Sequence, residues 1–231
     1  MERVKPVKDG IYHIYNRGVE NKNVFLDESD YFRFIHDLFE FNDELPVNNF
    51  THFLNKEVGL HYIRERRPRK LLVEILTFCL MPNHFHLMVK QKSENGTPEF
   101  MRKLKTGYTN YFNQKYKRPG SLFQGKYKIV AIKEEAHFSY LPHYIHCNPL
   151  DLTMPDWRQR KIRNPREAMK FLEEYRWSSF LDYIGQKNFP SFTSREIILD
   201  YYGGQERYKK NLIEWFQEMN QETLKSLSIL E

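Results

Sequence analysis

Met81-Pro82-Asn83-His84-Phe85-His86-Leu87-Met88-Val89-Lys90 contains two histidines separated by one apolar residue. The preceding residues 71–80 are mostly apolar and contain neither glycine nor proline, which predicts a buried strand followed by a turn and a second, antiparallel strand. Side chains alternate between the two faces of a strand, so His84 and His86 lie on the same face. Two imidazoles on one face suit a metal site, and they suit ordinary surface or core histidines equally well.

The composition indicates a globular protein with an anionic partner. Of the 231 residues, 40% are hydrophobic and 16% are aromatic, which is enough for a core and argues against disorder. The net charge of +6 favours nucleic acid over membrane as a partner. Cys79 and Cys147 are too few for a disulfide framework, and no apolar stretch is long enough to span a bilayer. The first residues do not form a signal peptide, so we expect a cytoplasmic protein without membrane contact.

The remaining elements follow from periodicity and capping residues. We predict a strand over 11–16, a helix from Asp27 or Ser29 to about residue 43, a helix over 98–116, strands over 122–124 and 127–132, and a helix over 134–148. Pro142 predicts either a kink in this last helix or a restart at the proline. From residue 151 the chain is predicted to be helical with breaks.

The segment from residue 100 to residue 133 is strongly basic, with nine lysines and arginines and no acidic residue. Unopposed positive charge interleaved with aromatic residues is typical of a nucleic-acid surface, although the charges are also compatible with the solvated face of an aromatic core. A second basic run, 64–70, is interpreted as a solvated loop or as a flap that contacts phosphates. The candidate DNA-binding residues are Arg17, Arg102, Lys103, Lys105, Lys115, Lys117, Arg118, Lys126 and Lys128.

Several ordered motifs resemble one family. Residues 81–89 resemble the HUH element (His, hydrophobic, His) of single-tyrosine transposases. The segments 120–128 and 144–149 resemble the next two signatures of that family, and 12–18 and 177–179 also fit. Over residues 10–185 the chain is therefore similar to the REP-associated tyrosine transposases, a branch of the HUH transposase and endonuclease family.

The resemblance implies a fold and a site. The fold would be α/β (α+β): a ferredoxin-like HUH palm with a central antiparallel sheet flanked by helices, followed by a helical C-terminal extension. The catalytic domain would span 1–150, with a basic insertion at 43–70, and the extension would span 151–231. Tyr144 would be the nucleophile, and His84, His86 and Asn148 would hold a divalent metal ion, Mg²⁺ or Mn²⁺. The implied activity is cleavage and transfer of single-stranded, hairpin-forming DNA through a 5′-phosphotyrosine.

Two other functions stay open at this point. One is a zinc hydrolase that adds His146 or Cys147 to the histidine pair, since zinc sites usually contain a third histidine or a cysteine. The other is a nucleic-acid-binding module of ferredoxin-like fold without catalysis. We rate His13, His143 and His146 as structural or DNA-facing, and a monomer is favoured over a homodimer. The family interpretation predicts that the helix that carries Tyr144 lies against the face of the sheet that carries His84 and His86. If this helix lies elsewhere within the chain, either a partner chain supplies the tyrosine or the interpretation is wrong.

Overall fold

Four antiparallel strands form one sheet at the centre of the protein, in a computed structural model that describes residues 4–45, 69–159, 162 and 164–218. The strands are β1 (Ile11–Arg17), β2 (Val73–Met81), β3 (His84–Gln91) and β4 (Lys128–Ile132), and their order across the sheet is β2-β3-β1-β4. β1 pairs with both β3 and β4, so the hairpin β2–β3 lies on one side of β1 and β4 on the other. This is the predicted α+β, ferredoxin-like order.

Two helices cover one face of the sheet, and later helices cover the other. α1 (Glu28–Glu40) and α2 (Gly96–Lys115) pack on the face that contains Phe85 and Leu87. α3 (Glu135–Cys147) packs on the opposite face, beside Cys79 and Met88. After α3 come two 3₁₀ turns and four helices: Asn148–Leu152, Pro155–Gln159, α4 (Pro165–Glu174), α5 (Phe180–Tyr183), α6 (Glu196–Tyr202) and α7 (Gln205–Glu218).

The local sequence explains where the first helix begins. Asp27 accepts a hydrogen bond from the backbone N–H of Asp30, and the Asp30 carboxylate accepts one from the backbone N–H of Asp27, which is a reciprocal capping box. Phe34 and Leu38, four residues apart, are completely buried against the sheet. The helix ends at Glu40, a turn before the predicted end.

The structure corrects two expectations. Residues 122–124 do not form a strand; Phe123 makes only an isolated bridge to Gly18. α3 does not restart at Pro142 but runs through it without a break. A proline inside a helix removes one backbone hydrogen bond, and burial of Leu141, Tyr144 and Ile145 against the sheet and the later helices holds the helix together across that position.

The C-terminal helices share a hydrophobic core with the sheet. This second core joins Cys79 and Met88 of the strands to Leu141 and Ile145 of α3 and to residues of α4–α7 such as Tyr208. The division into domains at residue 150 stays a prediction. None of the helices that the structure describes is both long enough and apolar enough to cross a membrane.

Only Arg69 and Lys70 of the predicted basic flap lie within the described residues. Arg69 packs its guanidinium over the ring of Phe39, 3.9 Å from the ring centroid, and donates hydrogen bonds to the carbonyls of Phe39 and Asn42. Arg69 therefore binds the residues just before β2 to the C-terminal end of α1. The rest of the flap, and the chain beyond residue 218, lie outside the described residues.

Candidate active site

His84 and His86 lie on the same face of β3, as the alternation of strand side chains predicts. Their ring centroids are 5.1 Å apart and the ring planes are nearly perpendicular. His86 is 5% exposed, and His84 is half-buried at the start of the strand. The Nδ1 atom of His84 lies 2.6 Å from Oδ1 of Asn83, and the Nδ1 atom of His86 lies 2.9 Å from Nε2 of His13. Each ring therefore uses Nδ1 for a hydrogen bond within the protein.

His13 is a third histidine of the same cluster. It lies on the neighbouring strand β1, completely buried, with its ring stacked on that of His86 at a centroid distance of 5.1 Å. Burial lowers the pKa of His13 to about 3, so its ring is neutral at pH 7. From the sequence alone, this residue is expected to be structural or DNA-facing. His13 contacts His86 because β1 pairs with β3, and the local sequence pattern does not specify that pairing.

Tyr144 approaches the histidine pair from α3. Its ring centroid is 5.7 Å from that of His86 and 6.1 Å from that of His13, with the tyrosine ring nearly perpendicular to both. The side chain is 6% exposed. The tyrosine helix thus lies against the face of the sheet that carries the histidines, and it does so within one chain.

Asn148 follows directly after α3 and is completely buried. Its Nδ2 donates to the backbone carbonyl of Tyr144 over 2.8 Å, which keeps the side chain close to the helix end. The pKa of His84 is lowered to about 4, mainly by burial, and a hydrogen bond with the Asn148 side chain acts in the opposite direction. The Asn148 side chain therefore lies within hydrogen-bond reach of His84, and its role as a further polar ligand stays a prediction.

Arg158 is a site residue that the sequence analysis missed. It lies in the 3₁₀ turn after α3, and its Nη1 donates to the hydroxyl of Tyr144 over 2.9 Å. Its Nη2 donates to Oδ1 of Asn148 over 3.1 Å, and its Nε and Nη2 bind the carboxylate of Asp151 over 3.0 and 2.8 Å. No motif marks this arginine, because the contact depends on how the chain folds back after residue 150.

One family model matches part of the chain. Residues 53–148 match the model described as "Transposase IS200 like", a segment that contains His84, His86, Tyr144 and Asn148. This segment is similar to the IS200-like transposases. Arg158 and His13 lie outside the matched segment.

Similar folds occur among solved structures. One is a REP-associated tyrosine transposase bound to a REP hairpin, with a TM-score of 0.52 and 13% sequence identity, covering 84% of this chain and 90% of that chain. Another is a candidate transposase from Deinococcus radiodurans R1, with a TM-score of 0.34 and 14% identity, covering 63% of this chain and 95% of that chain. No curated protein matches the chain in sequence. The first of these similarities supports the α+β fold.

The charges on α2 are not all unopposed, so the expectation of unopposed positive charge over residues 100–133 is wrong. Lys115 forms ion pairs with Asp27 and Asp30, at 2.8 and 2.7 Å. Lys103 pairs with Glu99 at 3.0 Å and donates to the carbonyl of Asp43. Asp27 and Asp30 are more than 80 residues away in sequence, at the start of α1, so the acid-free segment meets its acids only after folding. A role of these two lysines in DNA binding stays a prediction.

The aromatic residues of this segment mostly belong to the core. Tyr108, Phe112 and Phe123 are buried in the hydrophobic core between α2 and the sheet. The hydroxyls of Tyr111 and Tyr116 donate to the carboxylate of Asp30. These rings hold α1 and α2 together, whereas Tyr127 lies beside cations that are not paired with an acid among the described residues. It lines a cleft of about 570 Å³ together with Arg102, Lys105 and Lys126.

The third ligands of the zinc hydrolase alternative do not form a metal-binding group with the histidine pair among the described residues. Both ring nitrogens of His146 are hydrogen-bonded, Nδ1 with the hydroxyl of Tyr208 at 2.6 Å and Nε2 with that of Ser179 at 2.7 Å. Cys147 is buried in the second core, and burial raises the pKa of its thiol. Among the described residues, no group of three or more histidine, cysteine, aspartate or glutamate side chains is arranged to hold a metal. The expectation that His146 or Cys147 completes a zinc site is therefore wrong.

Proposed function

We propose that the protein cleaves and rejoins single-stranded, hairpin-forming DNA, with Tyr144 as the nucleophile. The observation that carries this proposal is the position of the Tyr144 ring, 5.7 Å from that of His86 on the face of β3 that also carries His84. The family match of residues 53–148 supports the transposase-type activity. The structural relative that is bound to a REP hairpin makes hairpin DNA the substrate of choice for the first test.

The proposed reaction exchanges one phosphodiester bond for another and needs no external energy source. The hydroxyl oxygen of Tyr144 forms a bond to phosphorus, its proton is lost, and the bond from phosphorus to the 3′ oxygen breaks. That oxygen takes up a proton and becomes a free 3′-hydroxyl, while the 5′ end stays attached to the tyrosine. The covalent link retains the energy of the phosphodiester, so a second 3′-hydroxyl can reverse the step and join a new strand.

The residues of the site fit a divalent metal ion. Burial lowers the pKa of His84 to about 4 and lowers that of His86 as well, so both rings are neutral, which is the form that binds metals. Their Nδ1 atoms are hydrogen-bonded to protein groups, an arrangement common behind metal-binding histidines, and Nε2 of each is the nitrogen that would coordinate. Asn148 would supply an amide oxygen. Bound Mg²⁺ or Mn²⁺ would neutralise charge on the scissile phosphate, and Mn²⁺ tolerates imidazole better than Mg²⁺.

His13→Phe should weaken Mn²⁺ binding about 10-fold to 100-fold, the usual effect of losing a residue that orients a metal ligand. If His86 coordinates through Nε2, its Nδ1 carries the proton and donates it to Nε2 of His13. Phenylalanine fills the stacked position but accepts no hydrogen bond. Isothermal titration with Mn²⁺ in the absence of DNA measures the effect. An unchanged affinity would show that His13 has only a packing role.

The cleft on α2 is the proposed contact with the DNA backbone. Arg102 and Lys126 are exposed there, whereas Lys105 donates to the carbonyl of Gly125 and is half-buried. Lysine and arginine side chains neutralise phosphates, and a neighbouring aromatic ring can stack on an unpaired base. Arg17 is a further candidate close to the chemistry, because it is exposed and lies opposite His84 in the pairing of β1 with β3.

Replacing both Arg102 and Lys126 with glutamine should weaken hairpin binding and reduce its dependence on salt. On single-stranded DNA the slope of log affinity against log salt concentration should fall by roughly 0.7 for each phosphate that the variant no longer neutralises. Lys170→Gln with Lys210→Gln removes the same charge from exposed positions on α4 and α7 and should leave the slope unchanged. Fluorescence anisotropy over a series of salt concentrations measures both variants. Equal slopes for the two double variants would exclude this cleft from the DNA interface.

The proposed function is tested by a search for the covalent intermediate. The full chain is incubated with end-labelled single-stranded hairpins and Mn²⁺ or Mg²⁺, and the products are separated on a denaturing gel. A labelled band at the combined mass of protein and the 3′ DNA fragment is the expected result. Binding without cleavage over a varied set of hairpins would favour the nucleic-acid-binding module, and cleavage without a covalent band would favour a hydrolase.

The proposed site requires only one copy of the chain. The nucleophile, the histidine pair and Asn148 come from the same polypeptide, which supports our proposal of a monomer. The proposed catalytic domain, 1–150, receives Arg158 from the proposed C-terminal extension, so we expect the extension to be needed for activity. A cytoplasmic location stays a prediction.

A further inference from the structure

We propose that Arg158 is a catalytic residue, acting on the hydroxyl oxygen of Tyr144. The inference rests on the proposed function, since it assigns a role in the same reaction. Arg158 contacts the reacting atom itself: its Nη1 lies 2.9 Å from that oxygen. A positive charge held at this distance stabilises the negative charge that the oxygen carries while its bond to phosphorus is forming or breaking.

The guanidinium is held in place by groups that do not react. Asp151 binds it through two hydrogen bonds, and the indole N–H of Trp157 donates to the same carboxylate over 2.6 Å. The guanidinium also lies over two rings, 5.0 Å from the centroid of Tyr144 and 4.8 Å from that of Trp157. A planar, fixed guanidinium needs little reorganisation during the reaction, which is the condition under which such a donor is most effective.

The charge on Arg158 is permanent, unlike that of the neighbouring histidines. Burial disfavours the charged form, but the hydrogen bonds and charge interactions with Asp151 and Tyr144 together outweigh it, and the pKa of Arg158 is raised. Arg158 therefore places a permanent positive charge beside the hydroxyl oxygen of Tyr144.

The role applies in both directions of the reaction. In cleavage, the phenol loses its proton, the bond from oxygen to phosphorus forms, and the bond from phosphorus to the 3′ oxygen breaks. In joining, a 3′-hydroxyl loses its proton and forms a bond to phosphorus, the bond from phosphorus to the tyrosine oxygen breaks, and that oxygen leaves with a negative charge before it takes up a proton. The two directions share one transition state, so Arg158 should accelerate both by the same factor.

Arg158 also contacts Asn148, a proposed metal ligand. This contact suggests an alternative role, in which the guanidinium occupies the place of the metal ion. The Nη2 atom of Arg158 donates to Oδ1 of Asn148 over 3.1 Å. If the guanidinium only occupied the place of a metal ion, its removal would strengthen metal binding and leave the reaction rate intact. A catalytic role requires the opposite pattern: a lower rate with little change in metal affinity.

The experiment compares Arg158→Ala, Arg158→Lys and the control Arg166→Gln, which removes an exposed arginine from α4. Single-turnover formation of the covalent adduct is measured at saturating Mn²⁺, together with Mn²⁺ affinity and melting temperature. Arg158→Ala should slow adduct formation about 10²-fold to 10³-fold, as removal of one donor to a reacting oxygen does in other enzymes. Arg158→Lys should recover part of the rate, and Arg166→Gln should match the wild type.

Rescue by added guanidinium distinguishes a catalytic role from a structural one. Millimolar guanidinium should raise the rate of Arg158→Ala and leave that of the wild type unchanged, since a small cation can occupy the vacated place. A wild-type rate in Arg158→Ala, or a slow rate that guanidinium does not raise, would overturn the assignment while adduct formation by the wild type still supports the proposed function. Failure of the wild type to form any adduct would overturn both.

Discussion

Tyr144→Phe is expected to abolish the covalent adduct with hairpin DNA completely. Phenylalanine keeps the ring against His86 and His13 but lacks the oxygen that would bond to phosphorus. Loss of the nucleophile typically costs an enzyme more than ~10³-fold in rate. The free energy of unfolding should fall by only about 1 kcal/mol, because Arg158 loses one hydrogen bond and keeps Asp151. The assay is the denaturing gel, with binding of the same hairpin followed by anisotropy.

Tyr140→Phe is the matched control for this variant. Tyr140 lies one turn earlier on α3 and is as buried as Tyr144, so the same atom is removed from the same helix. We expect this variant to form the adduct. An adduct that survives in Tyr144→Phe would show that another residue attacks the DNA. Loss of hairpin binding together with the adduct would show that Tyr144 acts in recognition.

The parts of the site that the sequence predicts are those fixed by local periodicity. Alternation along a strand places His84 and His86 on one face, and the four-residue spacing of Tyr144 and Asn148 places both near one end of α3. The β2–β3 hairpin needs only two apolar runs and a turn between them. These features depend on neighbours in the sequence and not on the order of the strands in the sheet.

The parts that the sequence does not predict depend on contacts between distant segments. His13 reaches His86 because β1 lies between β3 and β4, and this order is set by packing of the whole sheet. Arg158 reaches Tyr144 through a turn without regular periodicity. Lys115 meets Asp30 across two helices, so a count of charges along α2 overestimates the positive surface.

His84→Ala is expected to abolish metal-dependent cleavage while the protein still folds. His84 is half-buried at the start of β3, whereas His86 is deeply buried and bonded to His13, so truncation of His84 disturbs the core less. Removing a direct ligand should reduce Mn²⁺ affinity by more than the ~10-fold to 100-fold that loss of an orienting partner costs. Isothermal titration with Mn²⁺ and the adduct assay measure the two effects separately.

His36→Ala is the control for the histidine pair, because His36 is exposed on α1, on the opposite side of the sheet. It should bind Mn²⁺ and cleave DNA like the wild type. Cleavage by His84→Ala at the wild-type rate would exclude the histidine pair as the metal site and would leave charge stabilisation to Arg158. In one outcome, the two proteins bind the hairpin equally while only His84→Ala fails to cleave it. This result would identify a metal-dependent nuclease, because a binding module without catalysis has no step that needs the imidazole.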